Sequence, residues 1–288
     1  MKLQLDTTVI FHCILDRCDD PIMLLYGQLK KQADSVHAST FTKKEFAFSL
    51  ISDCCSFQAK LFNTKSFLEA YTWIDKYSYF KKRFGPRIHE MLAHFILEHY
   101  GNEILECDVQ TKNRVIAEHL LEYLRLIIPE LWERFDNGLT LPLDDRTKCA
   151  FAYIGPVEEG RVFRIRTKTA RHPCDGSEGC SLESMLKGKD SRRRALSLLK
   201  ALQGMPDSDE KKTRELKQIQ RFLQEFFESG RCTSCYEMCN KGIGDMVIAL
   251  ETLPDRTLVT TNTKEYEIIC TAISQNYYVI STHANRSS

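Results

Sequence analysis

Apolar and polar positions along the chain follow two periods. Leu3 to Leu5 is a short apolar run ending at Asp6, and Val9 to Leu15 opens a helix after the Asp6-Thr7-Thr8 turn. Ser35 to Ala38 reads as a second strand, and Thr42 with Glu45 has capping-box spacing, which predicts a helix start there. Near the other end, Asp245 to Glu251 reads as a helix, Thr257 to Thr261 as a strand, Glu265 to Ser274 as a helix and Tyr277 to Ser281 as a last strand. Strands alternating with helices predict a parallel sheet.

The middle of the chain changes period. Ile88, Met91, Leu92, Phe95 and Ile96 recur at helical spacing, as do Val115, Ile116, Leu120, Leu124, Ile127 and Ile128. Pro129 is expected to end that helix and open another through Leu131, Trp132 and Phe135. Phe163, Ile165 and Thr167 then alternate with Arg164, Arg166 and Lys168, the period of a strand with one basic face. Two helices follow. The first spans about Ser191 to Leu202 with Leu196 and Leu199 inward, and the second buries Leu216, Ile219, Phe222, Leu223 and Phe226.

Composition excludes two classes. With 288 residues, 43% apolar and a net charge of +1, the chain can bury a core and is not disordered. No apolar run approaches the ~20 residues a membrane span needs, so no membrane partner is expected. Asp6 interrupts any secretion-type apolar stretch, so the expected location is cytoplasmic and the twelve cysteines are expected to be metal ligands or buried thiols rather than disulfides.

Three acids fall where strands hand over to helices. Asp6 follows the first strand, Glu45 lies in the helix after the second, and Asp245 follows Gly242-Ile243-Gly244 into a helix. Ligands of an open parallel sheet bind beyond the carboxyl ends of its strands. Three carboxylates gathered there repel one another unless a cation lies between them, and all-oxygen ligands select Mg²⁺ or Mn²⁺. Taken singly, each acid reads more simply as a solvated cap or helix-dipole partner.

Taken together, the residues resemble the PIN domain family of metal-dependent ribonucleases. The resemblance is carried by Leu3-Gln4-Leu5-Asp6-Thr7-Thr8-Val9-Ile10, Ala38-Ser39-Thr40-Phe41-Thr42-Lys43-Lys44-Glu45, Gly244-Asp245-Met246-Val247-Ile248-Ala249 and Leu258-Val259-Thr260-Thr261-Asn262 with Tyr266 following. It implies a three-layer α/β/α core with a central parallel sheet over 1–52 and 241–288. Residues 53–145 would be a helical insertion, and 146–240 a basic strand, a helix pair and a zinc-knuckle-like element. It further implies a Mg²⁺ or Mn²⁺ site on Asp6, Glu45 and Asp245, tuned by Thr260 and Asn262, and RNA hydrolysis leaving 5′-phosphate and 3′-hydroxyl ends. Many family members carry Asp where this chain has Asn262, which leaves open a catalytically weak module that binds RNA or a protein partner, such as an inhibitor. A metal-dependent phosphatase or DNA nuclease using the same acids is a third possibility.

Two further features lie between the motifs. Cys232-x₂-Cys235 is half of a zinc knuckle, and Cys174-x₅-Cys180 supplies a second half that the intervening helix pair can bring to it, predicting a structural Zn²⁺. His172 and Cys239 are spare candidate ligands, and a set of independent reduced thiols is the alternative reading. Positive charge is concentrated at Arg161, Arg164, Arg166, Lys168 and Arg171, and again at Arg192, Arg193 and Arg194. Such patches suit a polyanion, here RNA, although a solvated helix face or an acidic partner has the same composition.

Overall fold

The computed structural model describes residues 1–15, 20–80, 85–86, 88–89, 91–92, 95, 108–135, 143–144, 153–167, 181–206, 209–231 and 242–280. The chain is α/β, mostly helical, with a parallel sheet, and it divides into two compact units. The first takes residues 1–45, 139–152 and 168–288, and the second takes 46–138 and 153–167. The basic hairpin thus groups with the helical middle, and the helix pair that follows it groups with the sheet.

In the first unit the elements are β1 (Lys2–Leu5), α1 (Thr7–Leu15), α2 (Pro21–Lys31), β2 (Ser35–Ser39), α3 (Thr40–Phe46, whose last residue opens the second unit) and β3 (Leu143–Asp144). The second unit holds α4 (Ser52–Thr64), α5 (Phe67–Phe80), α6 (Val109–Glu133), β4 (Tyr153–Glu159) and β5 (Val162–Thr167). The first unit resumes with α7 (Ser181–Lys187), α8 (Lys189–Gly204), α9 (Arg214–Ser229), α10 (Gly244–Glu251), β6 (Arg256–Thr260), α11 (Thr263–Ala272) and β7 (Tyr277–Val279).

The sheet order is β3-β2-β1-β6-β7, and every pairing is parallel. Leu3, Gln4 and Leu5 of β1 are buried on both faces of the strand, as the interior of a parallel sheet requires. Leu5 pairs with Ala38 on one side and Val259 on the other. That register sets Asp6, Ser39 and Thr260 in one row at the carboxyl edge. The chain runs from β1 to β2 in one direction and from β6 to β7 in the other, so the order reverses between β1 and β6. In open α/β sheets that reversal opens a crevice at the strand ends.

The α9 stripe is buried as its periodicity predicts, in one core with α7, α8, α10, α11 and Leu258. Three expectations are corrected. The helix after β2 starts at Thr40, and Ser39 Oγ, not Thr42, accepts the Phe41 N–H (2.9 Å); the Thr42 hydroxyl donates back to the Ser39 carbonyl. Helix α6 runs through Pro129, because burial of Ile128, Leu131 and Trp132 at ~1.5–3 kcal/mol each outweighs the roughly 3 kcal/mol of one interior proline. Leu196 is exposed, because the buried face of α8 is Ala195, Leu198, Leu199 and Leu202, one step round the helix.

In the second unit, α4 buries Cys54, Cys55, Phe57 and Leu61, and Ile88, Met91, Leu92 and Phe95 are buried as their spacing predicts. The β4–β5 hairpin is antiparallel. Gln58 Oε1 accepts the Phe163 N–H (2.7 Å), which ties β5 to α4. Gly155 has φ +92 and faces the Trp132 indole, where a Cβ would lie 2.4 Å from Nε1, so position 155 takes only glycine.

Candidate functional site

Asp6 is the first residue beyond β1, and its N–H donates to the Val259 carbonyl (2.9 Å), pinning it to β6. Its side chain is 1% exposed. A buried carboxylate needs donors, and four converge on this one. Oδ1 accepts the Thr7 N–H (2.7 Å) and the Tyr266 hydroxyl (2.9 Å), and Oδ2 accepts the Thr8 hydroxyl (2.7 Å) and the Thr260 hydroxyl (2.9 Å).

The other acids join through the same groups. Thr7 donates its hydroxyl to Glu45 Oε2. Thr260 Oγ1 accepts the Asn262 N–H (2.9 Å), and the Asn262 side-chain amide donates to Asp245 Oδ2 (2.9 Å). Asn262 stands at the N-cap of α11 but makes no side-chain cap, so its amide serves Asp245 instead. One path of hydrogen bonds therefore runs from Glu45 through Thr7, Asp6, Thr260 and Asn262 to Asp245. Asp245 lies in the first turn of α10, where the helix dipole favours a negative charge, and it is not a capping residue. Gly244 makes room for Glu45: a Cβ there would fall 1.6 Å from Glu45 Oε1.

Tyr266 reports the charge of the whole group. Burial first, and then the negative charges of Asp6, Asp245 and Glu45, push its hydroxyl well above the ordinary phenol range. The phenol therefore stays protonated and remains a donor to Asp6. A nucleophilic thiol needs the opposite environment, and burial pushes Cys55 and Cys270 up to about 12. Cys13, Cys54, Cys55 and Cys270 form no disulfide; Cys54, Cys55 and Cys270 are buried and Cys13 is half-buried.

The donor set of Asp6, Glu45, Asp245, Asn262 and Thr260 is all oxygen on the ligand side, which is the chemistry Mg²⁺ and Mn²⁺ take. Among the described residues, no group of three or more His, Cys, Asp or Glu side chains is laid out as a ready metal cluster. The acids are linked through Thr7 and Asn262 rather than converging on a single point.

The basic residues separate. Arg161 and Arg164 belong to the second unit, and Arg192 and Arg193 to the first. Arg164 is exposed, with Nε 3.4 Å from Glu159 Oε2. The Arg192 guanidinium lies 5.5 Å from the Phe227 ring centroid, and Arg193 pairs with Asp190 (2.6 Å). With Lys189 and Lys200 these two line a shallow concavity on α8. Arg194 leaves the predicted surface patch. It is buried and donates to the Leu250 and Thr252 carbonyls (3.1 Å each), the Ala249 carbonyl (3.0 Å) and Gln275 Oε1 (2.7 Å), closing the C-terminal end of α10. The Arg166 side chain, Lys168, Arg171, His172, Cys239 and the four predicted zinc ligands Cys174, Cys180, Cys232 and Cys235 lie outside the described residues.

Thr7, Thr8 and Tyr266 were not among the predicted site residues. The pair of hydroxyls directly after a strand-end acid is the local signal for Thr7 and Thr8, and the aromatic position after Asn262 is that for Tyr266. No protein-family model, no curated protein and no solved structure matches the chain.

Proposed function

We propose that the strand-end carboxylates form the active site of a PIN-like, metal-dependent endoribonuclease. The observation that carries this is the single hydrogen-bond path joining Asp6, Glu45 and Asp245 at the reversal point between β1 and β6. Three carboxylates from distant points of the chain are costly to gather without a cationic partner. Asp6, Glu45 and Asp245 would hold a Mg²⁺ or Mn²⁺ ion, which supplies water activation and charge neutralisation at a phosphodiester. Thr7 orients Glu45, the Asn262 amide orients Asp245, and Tyr266 with Thr8 and Thr260 fixes Asp6. Lys189, Arg192, Arg193 and Lys200, in the same unit, offer phosphate contacts that position a strand without reading its sequence.

A second reading is favoured by a specific observation. Four donors already occupy the Asp6 carboxylate, and Asn262 stands where an acid would strengthen a metal site. On that reading the unit binds RNA or a protein partner with little turnover. Incubating the protein with labelled RNA, single-stranded DNA and duplex DNA, with Mn²⁺ or with EDTA, separates the two. Mn²⁺-dependent RNA cleavage supports the nuclease, and RNA binding without cleavage supports the binding module.

A further inference from the structure

The second unit contains a cleft of about 640 Å³ between the C-terminal end of α4, the middle of α6 and the turn of the β4–β5 hairpin. Its size is that of a small-molecule site, which spans roughly 300–1,000 Å³. Phe62, Ala117 and Leu121 supply apolar lining, and Lys65, Arg114, Arg125 and Arg161 supply four cations. Glu118 and Glu122 also line it, with His119 beside them. The carboxylates are engaged: Arg114 Nε lies 3.9 Å from Glu118, and Arg125 lies 3.5 Å from Glu122 and 3.1 Å from Glu158.

Four cations against two lining carboxylates leave an excess of two positive charges. That excess resides on Lys65 and Arg161, which are exposed and have no polar or charged partner among the described residues. Both are placed by the fold. Lys65 closes α4 in the left-handed conformation, φ +52, a position where glycine is the easy residue and lysine is strained. Arg161 follows Gly160 (φ +70) at the hairpin turn, two residues before Phe163, whose N–H is held by Gln58 on α4. Phe62, one turn beyond Gln58, is half-buried and makes no ring contact with another described aromatic residue.

We infer that this cleft binds a nucleotide, its phosphate between Lys65 and Arg161 and its base against Phe62. Two unpaired cations match a phosphate monoester dianion, arginine and phosphate form charge-assisted bonds, and an unstacked ring offers a face to any base. The nucleotide is either free or one residue of an RNA strand. The inference does not depend on the carboxylate site, and its test is run in EDTA, where metal-dependent cleavage is silent.

The probes are AMP, adenosine and a 5′-phosphorylated ten-nucleotide RNA, titrated against the full chain by calorimetry and fluorescence polarisation. AMP or the RNA should bind saturably, and adenosine, lacking the phosphate, should not compete. Lys65→Gly and Arg161→Gln should each weaken binding by about tenfold to a hundredfold, the loss of one bond to a charged group. Lys65→Gly should leave the melting temperature unchanged or raised, since glycine relieves the left-handed backbone, so lost binding cannot be ascribed to unfolding. RNA binding without AMP binding assigns the site to a strand, and the salt slope should then fall by about 0.7 per lost contact. AMP binding without RNA binding assigns it to a free nucleotide. Absence of saturable binding by both, or equal affinity in both variants, overturns the inference.

Discussion

The strand-end site of the first unit and the cleft of the second hold charge in opposite ways. Asp6 is buried, and four donors from α1, β6 and α11 surround it. Lys65 and Arg161 are exposed and have no such partners among the described residues. A buried charge persists only where the fold supplies its hydrogen bonds, so its neighbours are as fixed as the charge itself. An exposed charge asks nothing of the fold and is available to a ligand. Substitutions that remove a hydrogen-bond donor in the first region should therefore cost stability, alone or with activity. Substitutions in the second should weaken binding without lowering stability.

The largest effect is expected at Arg194, which obeys the first rule although it sits beside two surface arginines. Arg194→Ala strands the Ala249, Leu250 and Thr252 carbonyls and Gln275, and should cost roughly 3–5 kcal/mol of unfolding free energy. Arg192→Ala should stay within about 0.5 kcal/mol. Equal denaturation midpoints for the two variants would dissolve the contrast.

Tyr266→Phe comes next, at about 1–2 kcal/mol, because Asp6 Oδ1 loses a donor while the ring packing remains. Its signature is in the alkaline limb. The Tyr266 pKa is raised in the folded state, so its contribution is full below the unfolded value of about 10 and is lost as pH rises through the folded value. Burial also raises Tyr26, so phenolate absorbance should show Tyr266→Phe removing one of the tyrosines that ionise only on unfolding, and that variant should lack the corresponding part of the decline.

Asn262→Asp replaces a donor 2.9 Å from Asp245 with a like charge. Without metal it should lose about 1 kcal/mol or somewhat more. Mn²⁺ should restore the loss and raise the melting temperature by more than in the wild type. A variant unaffected by Mn²⁺ would remove Asn262 from any metal site.

The smallest stability change is expected for Gly244→Ala, since the group in its way is the mobile end of Glu45. Displacing that carboxylate by an ångström or more should still lower RNA cleavage by about 100-fold. Unaltered cleavage would show that the placement of Glu45 does not matter.

The ends of the chain were legible because a strand-end acid, a short β-rich run and a helical stripe are all local patterns. Asp6, Glu45, Asp245 and Asn262 could thus be singled out, and the structure joins them in one network. What was not legible depends on three-dimensional choice. Nothing local distinguishes Arg194 from Arg192 and Arg193, and only the end of α10 packing above it makes it a buried donor. Pro129 is a helix breaker by rule, and tertiary burial on either side overrides the rule. Tyr266 stands out locally only as the aromatic that follows Asn262, and nothing links it to the first strand 260 positions away, yet its hydroxyl meets Asp6. The cleft at Lys65 and Arg161 was hidden because its two cations come from a helix end and a hairpin turn about a hundred residues apart.

Cleavage of labelled RNA by Asp245→Asn, with Mn²⁺ and with EDTA, tests the central claim most directly. Asparagine keeps an acceptor for the Asn262 amide and removes the charge. The account predicts Mn²⁺-dependent cleavage by the wild type, a fall of about 10²–10³-fold or more in the variant, and a metal-free melting temperature unchanged or raised. Cleavage at the wild-type rate, with an unaltered Mn²⁺ titration, would contradict the assignment of these carboxylates to a nuclease site.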